Sequence, residues 1–413
     1  MGMKNKLKKK HINNIAVIGC GRWARVILNS LVSLVGTDIK LSVHTPSNKL
    51  GISKWLTESG LIKQVKVYSS LPVFNKNELS LVIIVNAAHK HEDTIRWALA
   101  NNYHVLIEKP FCTELEGAKN VIEVASSKNL FLATAHVFLF ANYIQTFSKL
   151  VNLMGEIQQV DISWSDPASE KRYGDAKSYD ASLPIYLDWL PHINSILNTF
   201  LDNNSKVNKN FSLSNGGSKI KLNSTYGTVK CKIHLQRNHD IRQRIFEVRS
   251  ANNKIKLDFS EEPGSIHFNG KIICDLDWEN RPKPVKLMLK AFIQSILEDE
   301  LDLRLNNTIG LSAIKLSDDV KFLYEKSLEN WLNEKKNLFG HTMNNHLRYA
   351  ITELIGVENR EAFTTIEQQV DYVFRNVSDH ILNSLGQNKE DVKYIVSKFI
   401  HQSKRLKLTT HNG

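Results

Sequence analysis

A glycine-rich segment directly after a short apolar strand limits what this chain can fold into. The strand candidate at residues 15–18 is followed by Gly19-Cys20-Gly21-Arg22-Trp23-Ala24, a G-x-G-x-x-A pattern that leads into an amphipathic helix. Gly19 permits a tight turn, Gly21 lets the backbone approach a pyrophosphate, and Ala24 keeps the helix close to the strand. The start of the helix offers unpaired N–H groups and a favourable dipole to an anion. The segment therefore predicts a dinucleotide site, with Arg22 and Trp23 among its contacts.

The surrounding sequence predicts a Rossmann domain over residues 12–134. Short β-branched runs alternate with amphipathic helical stretches, which is typical of a parallel sheet with helical crossovers. The strand candidates are 15–18, 39–43, 65–68, 81–85, 104–107 and 130–134, and the helix candidates include 93–101 and 115–128.

Beyond residue 135 the pattern changes to longer alternating segments, which predict an α+β domain over 135–328 with a large open, mainly antiparallel sheet. The strand candidates there are 157–164, 218–224, 228–236 and 244–250, and the helix candidates are 186–201 and 284–298. Residues 329–413 form a predicted helical extension. In it, Thr364 and Glu367 make a capping box ahead of an apolar stripe over 366–381, and a second helix is expected over 392–399.

The end of the second strand bears on the choice of dinucleotide. NAD-binding domains place an Asp or Glu there, against the ribose hydroxyls. This chain has His44, Ser47, Asn48 and Lys49 in that region, and these residues offer donors suited to a 2′-phosphate. We therefore expect NADP, with NAD as the alternative. An ordinary surface turn would also suit this composition.

Composition excludes several classes of protein. The net charge of +12 is concentrated partly in a basic tail over residues 1–11 and in the last residues, so a solvated tail is expected, with the docking of an anionic partner as the alternative, and a nucleic-acid site is not expected. The four cysteines are widely separated and contain no C-x-x-C pair, which argues against a disulfide framework or a zinc site and favours the cytoplasm. No run of eighteen apolar residues is present, so no membrane span is expected.

Two further motifs suggest a reaction. The strand candidate at 81–85 is followed by Asn86-Ala87-Ala88-His89-Lys90-His91, and the next strand ends in Glu108-Lys109-Pro110. Later, Asp188-Trp189-Leu190-Pro191-His192 places a carboxylate and an imidazole at i and i+4, on one face of a helix. At these residues the chain resembles the Gfo/Idh/MocA family of oxidoreductases. The resemblance covers roughly residues 12–328 and consists of the G-x-G-x-x-A turn, His91, the Glu-Lys-Pro segment and the Asp-to-His pair in family order.

The resemblance implies site residues and roles. It implies that Lys109 touches both the nicotinamide ribose and the reacting oxygen, that Glu108 and Pro110 shape the turn that presents it, and that Asp188 and His192 lie near the reacting carbon. It also implies that Ala87 and His91 belong to the loop beside the cofactor, and it implies a homo-oligomer. Members of the family often have glycine within the Asp-to-His motif, where this chain has Trp189, Leu190 and Pro191. The resemblance therefore does not define the shape of the substrate pocket.

The chemistry supports these assignments independently. Hydride transfer to or from a carbinol carbon also moves a proton at its oxygen, and a histidine suits that task because its ordinary pKa lies near neutrality. Lys109 adds positive charge where alkoxide character develops. His136 follows a strand that should end beside the nicotinamide, so it is a candidate cofactor contact. Candidate substrate contacts in the polar loop over 163–183 are Lys171, Arg172, Tyr173 and Tyr179.

The sequence thus predicts an NADP-dependent dehydrogenase or reductase acting on a sugar, nucleotide-sugar or cyclitol, without a metal. Two alternatives stay open. One is a non-catalytic regulator that senses a dinucleotide on the same fold, and the other is an imine reductase of peptide-siderophore assembly.

Overall fold

The computed structural model describes residues 10–46, 48–167, 170–172, 175–177, 183–202, 205–334, 349, 352 and 353. The chain divides into two compact units. Unit 1 comprises Met1–Ser148, Pro191–Thr199 and Leu276–Lys315, and unit 2 comprises Lys149–Leu190, Phe200–Asp275 and Leu316–Gly413. Both units are discontinuous in sequence, whereas the domains were predicted as consecutive segments.

Unit 1 is built on a parallel six-stranded sheet in the order β3-β2-β1-β4-β5-β6. Its strands are β1 (Ile12–Ile18), β2 (Lys40–His44), β3 (Val65–Tyr68), β4 (Leu79–Ile84), β5 (His104–Glu108) and β6 (Leu132–Ala135). The crossover helices are α1 (Arg22–Val32), α2 (Lys49–Glu58), α3 (His91–Ala100) and α4 (Leu115–Ser127). These elements confirm the predicted Rossmann fold.

Both faces of this sheet are buried, which is why its strands read as nearly continuous apolar runs. Along β1, Ile15 and Val17 belong to one hydrophobic cluster, while Ala16 and Ile18 belong to another. Helices α1 and α2 pack on the first cluster together with α7 (Pro284–Glu298), and α3 and α4 pack on the second. The strand order reverses between β1 and β4, and open α/β sheets bind ligands at the carboxyl ends of strands at such a point.

Unit 2 contains an eight-stranded sheet in the order β10-β11-β12-β7-β13-β14-β15-β16. Every neighbouring pair in it is antiparallel except β12 with β7, so the predicted mainly antiparallel sheet is confirmed. Its strands are β7 (Ile157–Pro167), β10 (Ser205–Ser214), β11 (Lys219–Tyr226), β12 (Val229–His239), β13 (Gln243–Ser250), β14 (Lys254–Asp258), β15 (Ser265–Phe268) and β16 (Lys271–Cys274). The short strands β8 (Glu170–Arg172) and β9 (Asp175–Lys177) pair separately.

Three helices each contain residues of both units. They are α5 (Asn142–Asn152), α6 (Ile185–Leu197) and α8 (Asn307–Glu334). Beyond α8 the structure describes three helical residues of the extension, Tyr349, Thr352 and Glu353. The helices predicted over 366–381 and 392–399 lie outside the described residues. Within the described part of the chain, none of the helices is long and apolar enough to cross a membrane.

Candidate active site

The glycine-rich turn follows β1 at the point where the strand order reverses. Gly19 has φ of 127°, and a Cβ added there would lie 2.8 Å from the carbonyl oxygen of Val85, just beyond β4. Its backbone N–H donates to the carbonyl oxygen of His44 at the end of β2 (3.0 Å). A Cβ on Gly21 would meet no protein atom within 4 Å, and Ala24 is fully buried. Gly19 is therefore required by the protein's own packing, whereas Gly21 keeps open a space that a bound pyrophosphate fits.

Helices α1 and α2, which follow β1 and β2 at this edge, have no acidic residue in their first turn, whereas α3, which follows β4, has Glu92 and Asp93 there. Helix α1 starts at Arg22, directly after Gly21, and α2 starts at Lys49 after the end of β2. Helix N-termini favour anions, and an acid in the first turn would oppose them. The N-termini of α1 and α2 therefore fit the anionic groups of a dinucleotide cofactor.

The side chains after β2 have different surroundings. The ring of His44 is buried and stacked on Tyr68, with its Nδ1–H donating to the Ser70 carbonyl oxygen (2.6 Å) and Nε2 accepting from the Ser42 hydroxyl (2.9 Å). Burial lowers the pKa of His44. Asn48 caps α2 by accepting from the N–H of Gly51 (3.1 Å), and Lys49 is exposed. Ser47 lies outside the described residues. Of the described side chains in this set, Lys49 is thus the exposed cation, at the first residue of α2.

Hydrogen bonds fix the Glu-Lys-Pro turn at the end of β5. The indole N–H of Trp23 donates to Glu108 Oε1 (2.5 Å), and the backbone N–H of Lys109 donates to Glu108 Oε2 (2.9 Å). One carboxylate therefore joins the glycine-rich turn to the residue that carries the predicted catalytic ammonium group. The side chain of Lys109 is half-buried.

His91 holds the same turn from the other side. It is 1% exposed, its Nδ1 lies 2.7 Å from the carbonyl oxygen of Pro110, and its Nε2 lies 3.1 Å from the carbonyl oxygen of Asn86. Burial lowers the pKa of His91 to about 4, so the ring is neutral and has one N–H, which the shorter contact to Pro110 takes. His91 therefore connects the loop after β4 to the turn after β5. Ala87 directly precedes the 3-10 turn of that loop and is half-buried.

The end of β6 brings His136 beside the Lys109 turn. Glu108 is paired in register with Ala135, so Lys109 and His136 are the next residues along two neighbouring strands. His136 is fully buried, and within the described residues neither of its ring nitrogens has a hydrogen-bond partner. Burial lowers its pKa to about 4. A buried imidazole of this kind normally has a partner, which a ligand or an ordered water would supply.

Helix α6 carries the predicted Asp-to-His pair. In unit 1, the ring of His192 lies edge-on to the ring of Phe138, and the two ring centroids are 4.9 Å apart. Phe138 follows His136 by two residues in the sequence. The helix is anchored there because Asn194 and Asn198 both donate to the hydroxyl of Ser312 (2.7 Å each). Unit 1 thus brings Lys109, His136 and His192 to the carboxyl edge of its sheet.

In unit 2, Asp188 belongs to the first turn of α6 and is 17% exposed. Its Oδ2 accepts from Arg237 Nη2 at 2.9 Å. The next residue, Trp189, lies against the guanidinium groups of Arg237 and Arg244, whose Cζ atoms are 5.8 and 5.4 Å from the ring centroid. Trp189, one of the three residues within the Asp-to-His motif, thus packs on two arginines of the sheet.

Sequence reasoning missed both arginines, although a signal for them exists. Strand β12 alternates buried Val229, Cys231, Ile233 and Leu235 with exposed polar residues, and Arg237 takes the next inward position. Arg244 occupies an inward position of β13, pairs with Asp166 and lies 4.2 Å from the ring centroid of Trp164. A cation at a core position of an alternating strand indicates a buried ion pair, because an uncompensated charge there is costly.

The predicted substrate contacts are only partly described. Lys171 and Arg172 lie on β8, whose backbone pairs with β9. Tyr173 and Tyr179 lie outside the described residues. Among the described residues, no group of three or more His, Cys, Asp or Glu side chains is arranged to hold a metal ion.

The lowered pKa values of three buried histidines in unit 1 make the free energy of unfolding depend on pH. Burial lowers the pKa of His91, His104 and His136 to about 4 each, below the ordinary value near 6.5 that applies in the unfolded chain. Between these values the unfolded chain binds more protons, so stability is present above pH 6.5 and is lost as pH falls towards 4. We expect these groups together to contribute a slope of up to about 4 kcal/mol per pH unit.

Urea unfolding at a series of pH values measures this slope. The variant His136→Gln should lower the measured slope by up to about 1.4 kcal/mol per pH unit, since one proton is removed from the difference between the unfolded and folded chains. The matched control is His11→Gln at an exposed position. An unchanged slope in the His136 variant would show that this ring does not remain neutral in the folded protein.

Comparison with known proteins agrees with this geometry. Residues 13–136 match the family model described as an oxidoreductase family with an NAD-binding Rossmann fold. Human biliverdin reductase A is 26% identical over 162 residues, which are 39% of this chain and 52% of that protein. The chain thus spans about half the length of this curated relative.

Solved structures share the fold over a longer stretch. UDP-N-acetylglucosamine 3-dehydrogenase from Acidithiobacillus ferrooxidans is 16% identical, with a TM-score of 0.62 over 76% of this chain and 98% of that chain. A 3-ketoreductase from Actinomadura kijaniata, solved with TDP-benzene and NADP, is 19% identical, with a TM-score of 0.61 over 75% of this chain and 97% of that chain. The glycine-rich turn, the Glu-Lys-Pro turn and the family match lead to one conclusion. Residues 13–136 belong to the Gfo/Idh/MocA oxidoreductase family.

Proposed function

We propose that this protein is an NADP-dependent oxidoreductase that transfers a hydride between nicotinamide and a carbinol or carbonyl carbon of a sugar, nucleotide-sugar or cyclitol. The observation that carries the proposal is the convergence at one sheet edge of the glycine-rich turn, the fixed Lys109 turn and the Phe138–His192 contact. NADP, when bound, supplies the hydride acceptor or donor. The chain's own residues bind it, orient the substrate and move the proton.

The proposed roles follow from what the reaction requires. Oxidation of a carbinol removes a hydride from carbon and a proton from oxygen, and reduction reverses both. His192, which is only half-buried, acts as the acid or base at that oxygen. Lys109 stabilises the negative charge that develops on the oxygen, and Asp188 orients the substrate through a neighbouring hydroxyl. Arg22, Trp23, His136 and the loop containing Ala87 are the proposed cofactor contacts.

The preference for a sugar substrate comes from the structural relatives. The two structural relatives named above act on, or were solved with, nucleotide-linked compounds, and one of them holds NADP. The match to biliverdin reductase makes a bilin a reasonable member of a substrate panel. Lys171, Arg172, Tyr173 and Tyr179 stay proposed substrate contacts.

The cellular compartment and the oligomeric state of the protein are also proposals. None of the four cysteines, all of which are described, forms a disulfide, and this is consistent with the cytoplasm. We further propose a homo-oligomer, which sedimentation equilibrium of the full chain would test. A purely monomeric protein at micromolar concentration would contradict it.

The cofactor proposal is tested at Lys49. The variant Lys49→Ala should raise the KM for NADPH by about tenfold and leave the KM for NADH unchanged, because an exposed charge-assisted contact to the 2′-phosphate is worth roughly 1–2 kcal/mol. The matched control is Lys54→Ala, on the same helix but paired with Glu58 (3.8 Å). Equal effects on both dinucleotides, or lower KM for NADH than for NADPH in the unchanged protein, would contradict the assignment to NADP.

A further inference from the structure

Arg237 is a buried cation at the centre of unit 2. Its side chain is 1% exposed and occupies the inward position of β12 that follows Leu235. Arginine keeps its charge in proteins, so a buried guanidinium needs carboxylate partners to offset the loss of hydration. The carboxylates that pair with Arg237 therefore indicate which parts of the chain this side chain holds in place.

Two carboxylates from distant parts of the chain share this guanidinium. Nη2 donates to Asp188 Oδ2 at 2.9 Å, and Nη1 donates to both carboxylate oxygens of Glu353 at 3.0 Å. Glu353 is fully buried and lies 116 residues beyond Arg237. It belongs to the extension that follows α8, outside the part of the chain that resembles the family.

The segment that carries Glu353 is seated on unit 2 by its own contacts. The hydroxyl of Tyr349 donates to Glu325 Oε1 at 2.8 Å, and its ring lies edge-on to Tyr324 with centroids 5.9 Å apart. Thr352 is fully buried, and its hydroxyl donates to the carbonyl oxygen of Tyr349 (3.1 Å). The described residues of the extension thus form part of the interior of unit 2.

We propose that Glu353 and Arg237 are positioning residues for Asp188: the extension holds the guanidinium by two hydrogen bonds, and the guanidinium in turn fixes the carboxylate of Asp188. The inference rests on the proposed function, in which Asp188 orients the substrate. A guanidinium held by Glu353 through Nη1 keeps Nη2 in one position, which restricts where the Asp188 oxygen that accepts from Nη2 lies. A displacement of about 1 Å in a substrate-positioning group can cost roughly a hundredfold in rate.

The test is Glu353→Gln in the full-length chain. The amide preserves the size of the side chain and one acceptor, but it removes the charge and the paired acceptance from Nη1. We expect kcat to fall by about 10- to 100-fold, with the dissociation constant of NADPH unchanged in a fluorescence titration. The matched control is Glu325→Gln, which weakens the other contact of the same segment without touching Arg237, and it should leave kcat within about twofold of the unchanged protein.

A second variant keeps the inference falsifiable if Glu353→Gln fails to fold. Arg237→Lys retains the charge but cannot donate to both carboxylates in the same geometry, so kcat should again fall while NADPH binding persists. Full kcat in a folded Glu353→Gln or Arg237→Lys protein would overturn the inference. Equal loss of kcat in the Glu325 control would also overturn it, because that would indicate a general effect of loosening the extension. Absence of turnover in the unchanged protein would instead overturn the proposed function, and the inference with it.

Discussion

Replacement of Lys109 by methionine should lower kcat/KM about a thousandfold and leave NADPH binding almost unchanged. Methionine has a similar length and no charge, so the variant removes the cation from the oxygen on which alkoxide character develops. A single donor of this kind contributes several kcal/mol to the transition state in other enzymes. The backbone N–H of Lys109, which donates to Glu108, is retained in the variant, so the turn should keep its shape.

The measurement combines steady-state kinetics with fluorescence titration of NADPH. The matched control is Lys119→Met, at an exposed lysine of α4, and it should behave like the unchanged protein. Turnover that survives in the Lys109 variant would remove Lys109 from the catalytic set. Loss of NADPH binding together with turnover would assign Lys109 to the cofactor alone.

The two glycines of the G-x-G-x-x-A segment should respond differently to alanine. Gly19→Ala places a Cβ 2.8 Å from the Val85 carbonyl oxygen at φ of 127°, so we expect a loss of about 2–4 kcal/mol in the free energy of unfolding. Gly21→Ala meets no protein atom within 4 Å and should lower the free energy of unfolding by no more than about 1 kcal/mol, the effect of alanine in place of glycine at the N-cap of α1. It should nevertheless weaken NADPH binding at least about tenfold, because the added methyl group enters the space proposed for the pyrophosphate.

Urea unfolding and NADPH titration of the two variants separate these effects, and each variant serves as the control for the other. A stable Gly19→Ala protein would show that the turn can rearrange. NADPH affinity equal to that of the unchanged protein in Gly21→Ala would place the pyrophosphate elsewhere.

The parallel sheet could be predicted closely because its signals are local. The run at 65–68 matches β3 at both ends, and the first strand was predicted at 15–18 where the structure has Ile12–Ile18. Period-two alternation likewise revealed β12, predicted at 228–236 and observed at Val229–His239. The predicted strand ends one residue before Arg237, whose charged side chain interrupts the apolar alternation.

What could not be predicted depends on distant contacts. The helix α8 and the last strands of the second sheet were not identified, and the units proved to be discontinuous in sequence. The site residues were proposed from motifs, and no motif indicated their hydrogen-bond partners. The bonds from Trp23 to Glu108 and from Arg237 to Glu353 join residues 85 and 116 positions apart, and no spacing rule connects such pairs.

Deuterium labelling of NADPH tests whether the protein transfers a hydride. The protein is incubated with NADPH carrying deuterium at C4, in each of its two stereochemical forms, and with a panel of keto-sugars, nucleotide-linked keto-sugars and cyclitol ketones, and the products are analysed by mass spectrometry. The account predicts that one form delivers one deuterium to the new carbinol carbon, with one NADP⁺ formed per product. Tight NADPH binding without oxidation or deuterium transfer across the whole panel would contradict it and would favour a regulator that senses the dinucleotide.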